Sequence, residues 1–337
     1  MPSGEMLIKL FENFKSQNEE GFIKIAYEII EEEKQKNHYV LANKLKSILF
    51  SNNFNNGNSS SAQYFNSLKD LPKDKDKGLN LVDIRYSEKT FDDILLSEQI
   101  NTKLQGVVEE YSKKDILCTY NLSPKTKLLF CGPPGCGKTL CAEILASSLG
   151  LPILYVRFDS LISSYLGETA TNIRNVFDYA SKGNWVLFLD EFDAVGKSRD
   201  NVDEHGELKR VVNTFLQLLD SFGTQSFVIA ATNHEKLIDN ALWRRFDEVI
   251  YFDMPSEDSI LQYVELKLRC FKHKKTKIKT HIKDLVGLSY ADIERVCLEA
   301  IKRCVLDGLD ELDDATFAKK IQDEKQRMNL IKKIIEC

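Results

Sequence analysis

Gly132-Pro133-Pro134-Gly135-Cys136-Gly137-Lys138-Thr139 is the stretch that decides the architecture. Its spacing is G-x-x-x-x-G-K-T, and it stands between an apolar run at 127–131 and a helix-patterned stretch at 140–149, the setting in which that spacing has a mechanism. Glycines let the backbone curl until successive N–H groups point inward at phosphate oxygens, while the following helix offers them the positive end of its dipole. Pro134, Gly135, Cys136, Gly137, Lys138, Thr139 and Leu140 are therefore the expected phosphate-binding set. Lys138 is expected to reach the β- and γ-phosphates and the Thr139 hydroxyl to ligate Mg²⁺, a cation that takes oxygen ligands. Cys136 stands where a helix dipole lowers a thiol pKa, although bound phosphate opposes the thiolate; a small inert residue is the plainer reading.

Outward from this loop, short apolar runs at 128–131, 153–156, 186–189, 227–231 and 249–252 alternate with stretches of helical period. That alternation predicts a parallel sheet covered by helices on both faces. Pro255 breaks the pattern, and from there the chain reads as helix, notably at 260–268, 291–306 and 315–335. Upstream, Phe22, Ala26, Ile29 and Ile30 share one helical face and Val40, Leu41, Leu45, Ile48 and Leu49 another. An Asn- and Ser-rich stretch at 51–62 and a mixed-charge stretch at 69–77 are too poor in apolar residues to offset the entropy of ordering. Four units follow: an N-terminal helical domain 1–50, a disordered linker 51–80, an α/β nucleotide-binding unit 81–254 and a helical unit 255–337.

The bulk properties fit this division. With 337 residues, 43% of them apolar, the chain can bury a substantial core. Lys plus Arg number 46 and Asp plus Glu 51, a net charge of −5, so the whole chain exerts no pull on nucleic acid or anionic membrane. No apolar run approaches the roughly 20 residues of a spanning helix. The first ten residues, which include Glu5, lack the basic-then-apolar pattern of a signal peptide. A cytoplasmic location is expected, and eight cysteines without paired close spacings fit reduced thiols. His205, with Glu204 and Glu207 beside it, reads as polar loop rather than metal site for want of further ligands.

Val186-Leu187-Phe188-Leu189-Asp190-Glu191 places two acids at the end of a buried strand, the edge of an open parallel sheet where ligands bind. Asp190 is expected to hold Mg²⁺ and Glu191 to polarise an attacking water as general base. Phe227-Val228-Ile229-Ala230-Ala231 ends in Thr232-Asn233, and Asn233, both donor and acceptor, is suited to orient that water.

Together these pieces resemble the AAA family of ATPases, in particular the single-module subgroup related to katanin, spastin and bacterial SpoVK-like proteins. The resemblance runs from about Leu81 to the C-terminus and implies a P-loop NTPase fold, a five-stranded parallel sheet of order 5-1-4-3-2 flanked by helices, with a C-terminal helical lid and the N-terminal helical domain as substrate or partner module. It implies ATP and Mg²⁺ as cofactors, Walker A and Walker B motifs in the loop and acid pair, and hydrolysis of ATP to ADP and phosphate. Asp239-Asn240-Ala241-Leu242-Trp243-Arg244-Arg245-Phe246-Asp247 is similar to the family's second region of homology, making Arg244 and Arg245 arginine fingers for a neighbour's site. Gly287-Leu288-Ser289-Tyr290-Ala291-Asp292-Ile293 is similar to the sensor-2 segment, with Tyr290 where Gly is commoner; Ala291 carries over as a neighbour of the nucleotide. Phe91-Asp92-Asp93-Ile94 stands where the family's adenine contact lies, without the usual following glycines.

A finger acting in trans implies a homo-oligomeric ring, by resemblance a hexamer, since an isologous dimer does not serve every site. Tyr165, Leu166 and Gly167 match the family's pore loop, read here as a loop at a helix entrance, so the implied activity is that of a remodeller or unfoldase threading protein substrates through the ring. Two alternatives stand beside it. One is a nucleic-acid motor or loader meeting phosphates through Lys272, Lys274, Lys275, Lys277 and Lys279, a run more simply read as a solvated surface. The other is an ATP-dependent switch acting on a partner enzyme such as a peptidase, against which the intact Glu191 argues.

Overall fold

A computed structural model describes residues 4–15, 25, 26, 28–30, 32, 71–74, 78–156, 161, 166–192, 205–234, 240–273 and 275–335. Six strands form one sheet: β1 (Val82–Arg85), β2 (Lys127–Cys131), β3 (Ile153–Val156), β4 (Val186–Leu189), β5 (Phe227–Thr232) and β6 (Glu248–Tyr251), in the order β1-β3-β4-β5-β2-β6. Strands β2 to β6 pair in parallel. Every residue of β4 and β5 is buried, the pattern of strands covered on both faces.

The sheet differs from the all-parallel, five-stranded expectation by β1, which runs antiparallel to β3 with Val82 opposite Val156 and Arg85 opposite Ile153. Its burial falls from Val82 to an exposed Arg85, so it forms no apolar run; a short, half-polar strand of this kind suits a sheet edge.

Successive residues on each strand turn to opposite faces. Leu129, Leu187 and Val228 meet one layer of helices, α5 (Leu166–Ala180) and α6 (His205–Ser221), through Phe177, Phe215 and Leu219. Leu128, Phe130 and Phe188 meet the other, α2 (Glu98–Ser112) and α4 (Lys138–Leu149), through Leu104, Val107, Ala142 and Leu145. Between α2 and α4 lies α3 (Lys114–Thr119), and α7 (Asn240–Trp243) precedes β6. His205, expected in a loop, opens α6, whose buried Val211, Phe215 and Leu219 recur four apart and carry the helix back to it.

A third core is purely helical. In α8 (Glu257–Lys267), α9 (Lys275–Leu285), α10 (Tyr290–Leu306) and α11 (Asp314–Ile335), Ile260, Val264, Ile278, Ile282, Ile293, Cys297, Phe317 and Ile321 close on one another. In α9 the lysine-rich stretch is amphipathic: Ile278, Ile282 and Leu285 are buried while Lys279 stays in solvent.

Most of the stretch expected to be a linker, residues 51–70 and 75–77, lies outside the described residues. Within the stretch read as disordered linker, Lys73 pairs with Asn80 in an antiparallel bridge, and the Leu81 N–H donates to the Pro72 carbonyl at 2.8 Å. Gly78 takes φ 64° and Leu71 packs on the sheet core. Of residues 1–50, α1 (Gly4–Lys15) exposes Ile8 and Phe11, while Ile29 and Ile30 are buried; residues 16–24, with Phe22, and 33–50, with the second expected helical face, lie outside the described residues.

Candidate functional site

Strand β2 delivers the chain to Gly132, where φ is 133° and a Cβ would run into the Phe252 carbonyl on the adjoining strand end. Only glycine fits there. The loop then folds back so that Lys138, first residue of α4 and 6% exposed, donates from Nζ to the carbonyls of Gly132 at 2.6 Å and Pro133 at 2.9 Å. The ammonium thus sits under the loop, bonded to two of its carbonyls.

The helical unit docks on this loop through backbone. Ala291 N–H donates to the Gly135 carbonyl at 3.1 Å, and a Cβ at Gly135 would lie 2.5 Å from Ser289 Oγ. Ser289 caps α10 reciprocally with Asp292, whose Oδ2 accepts from the Ser289 amide at 3.1 Å and hydroxyl at 2.6 Å. The resemblance carries Ala291 over as a neighbour of the nucleotide; the cap holds its amide toward Gly135.

At the ends of β4 and β5 the remaining polar groups gather. Asp190 Oδ2 accepts from Thr139 Oγ1 at 2.9 Å and from the Tyr155 hydroxyl at 2.9 Å, while Oδ1 accepts from the Glu191 amide at 3.0 Å. Glu191 holds φ 50°, a left-handed conformation that costs a non-glycine residue free energy and is concentrated at functional sites. Asn233 follows β5 directly.

Thr139, Asp190, Glu191 and Asn233 line one cavity of about 340 Å³, within the range of small-molecule sites. The loop from Pro134 to Leu140 lines it too, together with Ile94, Leu95, Tyr263, Tyr290, Ala291 and Glu294. A 3-10 turn (Phe91–Asp93), closed by Thr90 N–H donating to Asp93 Oδ2 at 2.9 Å, precedes Ile94. Tyr263 meets Tyr290 edge to face at 4.9 Å and donates to Glu294 at 3.3 Å. Burial, then the charge of Asp190, pushes the Tyr155 phenol up from its ordinary value; burial, then Glu294, does the same to Tyr263.

The donor set fits a magnesium-bound nucleoside triphosphate. A buried ammonium under a glycine-rich loop suits anionic oxygens, two hard oxygen donors lie 2.9 Å apart, and Ile94, Leu95, Tyr263 and Tyr290 add apolar surface to the same cavity. A magnesium ion held by Thr139 and Asp190 would supply charge neutralisation at the phosphates. Asp190 is held by three donors, and Glu191, an exposed residue, lines the cavity.

The model of the family described as "ATPase family associated with various cellular activities (AAA)" matches residues 128–254. An uncharacterized AAA family ATPase of Sinorhizobium fredii, y4kL, is 41% identical over 329 residues, which cover 97% of both chains. The chain belongs to the AAA family. At that level it is an ATP-hydrolysing protein with an α/β P-loop fold, and among its described residues no helix is long and apolar enough to cross a membrane.

In this AAA module the two arginines are not equivalent. Arg245 is engaged within its own chain, its Nε 3.3 Å from Asp220 Oδ1 and its Nη1 donating to the Ala241 carbonyl at 3.0 Å. Arg244 is exposed and makes no ion pair among the described residues. Neither lines the cavity.

Tyr165 lies outside the described residues. Leu166 and Gly167, expected in a loop, are the first residues of α5, whose apolar face of Ile173, Val176 and Phe177 sustains the helix; Glu168 in its first turn favours the dipole.

Cys136 is 4% exposed, with Sγ 3.7 Å from Met254 Sδ. Burial pushes its thiol up, the nearby Lys138 opposing and Asp253 and Asp292 adding to the rise. At neutral pH less of it is thiolate than for an ordinary cysteine, so iodoacetamide should modify exposed Cys118 and Cys270 at least several-fold faster, as read by peptide mass mapping. Equal rates would contradict the burial.

Sequence reasoning missed Tyr155, Leu95, Tyr263 and Glu294. Tyr155 left one trace: a phenol in the otherwise aliphatic Ile153-Leu154-Tyr155-Val156, where a buried hydroxyl needs a partner.

Proposed function

We propose that this AAA protein is an ATP-driven remodeller of protein substrates, of the single-module kind related to katanin, spastin and SpoVK-like proteins. The observation that carries the proposal is the division of labour between the cavity and the arginines. One chain brings the loop, Asp190, Glu191 and Asn233 to a single cavity, yet the exposed cation of the second homology region, Arg244, lies outside it. A cation that completes a neighbour's site makes hydrolysis depend on a ring, in line with a six-subunit assembly. In that ring residues 255–337 act as a lid over the nucleotide, 1–50 choose substrate or partner, and Tyr165, Leu166 and Gly167 grip an extended polypeptide without reading its sequence. Asn233 orients the water that Glu191 deprotonates. The absence of a spanning helix among the described residues fits action in the cytoplasm.

The test is subunit mixing. Arg244→Ala should lower ATP turnover by about 10³-fold, the low end of an arginine finger's effect. Mixed with Glu191→Gln subunits, equally inactive alone, it should recover a measurable part of the wild-type rate, because some interfaces then join an intact acid pair to an intact arginine. No recovery, with a nucleotide-bound monomer hydrolysing at full speed, overturns the ring. Stimulation of wild-type turnover by an unfolded protein supports the remodeller, whereas stimulation by nucleic acid, steeply lost with salt, replaces it by a nucleic-acid motor.

A further inference from the structure

Tyr155 sits on β3 with its ring between two partners: the Arg85 guanidinium, 3.9 Å from the ring centroid, and Phe188, at 5.4 Å between centroids. The antiparallel strand β1 brings Arg85 there, pairing Asp83 with Tyr155 and Arg85 with Ile153. A ring held on two sides has little freedom, and its hydroxyl ends 2.9 Å from Asp190 Oδ2. The same oxygen accepts the Thr139 hydroxyl. Thr139 has one proton, now directed at Asp190, and its oxygen is the one suited to a cation. Tyr155 is the donor to Oδ2 that comes from outside the phosphate loop, and the phenol of a tyrosine keeps its proton throughout the neutral range.

We propose that Tyr155 is a positioning residue for the divalent cation of this site: its hydroxyl fixes the Asp190 carboxylate in the orientation that serves the cation, and β1, through Arg85, fixes the hydroxyl. The inference rests on the reading of the cavity as an ATPase site. A donor to a ligating carboxylate governs both its direction and its charge density, and losing such a partner typically weakens metal affinity by ten- to a hundredfold. It also gives the added edge strand a task, since β1 then joins the chain preceding the AAA module to the cation's ligand.

Tyr155→Phe keeps the ring, its packing on Phe188 and its contact with Arg85, and removes only the hydroxyl. Mn²⁺ binding to the full-length protein loaded with ADP, followed by electron paramagnetic resonance, should weaken about tenfold in the variant. ADP affinity in EDTA should stay within about twofold of wild type, because no phosphate-loop group changes. In steady-state ATPase assays the Mg²⁺ needed for half-maximal rate should rise while the rate at saturating Mg²⁺ recovers, a rescue that mere loss of folding does not permit. Unchanged Mn²⁺ affinity in the variant beside a wild type that binds Mn²⁺ overturns the inference alone. A wild type that binds no Mn²⁺ with nucleotide overturns the ATPase reading, and this inference with it.

Discussion

Glu191→Gln should bind ATP as tightly as the wild type and turn it over about 10²–10⁴ times more slowly, the range in which removal of a general base falls. The amide is isosteric, so the left-handed backbone at φ 50° and the Glu191 N–H bond to Asp190 Oδ1 at 3.0 Å have no cause to change. What disappears is the ability to accept a proton from water, together with one negative charge beside the acceptor-rich end of the cavity. Less repulsion of the triphosphate predicts affinity equal to or above wild type. Single-turnover phosphate release and equilibrium binding of a fluorescent ATP analogue separate the two effects. A turnover within tenfold of wild type would remove Glu191 from the chemistry, and a matching loss of binding would show that it supports the pocket instead. The variant held in its ATP state is also the reagent of choice for retaining whatever the protein engages.

How much of this was legible beforehand follows from how each feature is encoded. Strands β4 and β5 are buried at every residue and β2 at all but its first, so they read as apolar runs, and the loop and acid pair stand at the ends of β2 and β4 in contiguous motifs. Strand β1 is open on one side and alternates too briefly to register in four residues. The bridge between Lys73 and Asn80 and the Leu81 N–H bond to the Pro72 carbonyl are backbone bonds, which composition does not encode. The rest of the cavity lining is assembled from Ile94 and Leu95, Tyr263 of α8, and Tyr290 and Glu294 of α10, residues up to 200 positions apart that share no motif (294 against 94). Tyr155 needed its partner to be seen, because a single tyrosine in a strand is most often a matter of packing. Proximity across elements is the information a local pattern lacks, and the bond from the Ala291 N–H to the Gly135 carbonyl is such a contact.

Lys138→Ala should abolish nucleotide binding at concentrations that saturate the wild type, with a loss of at least about 100-fold in affinity, as expected for removing a charge-assisted partner of a polyanion. Lys138 is nearly fully buried, and its Nζ at present satisfies the Gly132 and Pro133 carbonyls. The substitution therefore has two opposed effects on the free protein: two carbonyls lose a donor, and an ammonium no longer has to be kept out of water. Their near cancellation predicts a melting temperature close to wild type, which makes the ligand response the decisive readout. At a nucleotide concentration of 100 times Kd the wild type gains about 2.7 kcal/mol of stability from binding. The variant should gain almost none at that concentration, with or without Mg²⁺. Lys138→Arg should do no better: the planar guanidinium is larger than the space left under the loop, and its donors cannot take up the same point position. If Lys138→Ala shows the wild-type ligand-induced shift in melting, the curled loop is not where the triphosphate sits, and the roles of Thr139, Asp190 and Glu191 built around it lose their common anchor.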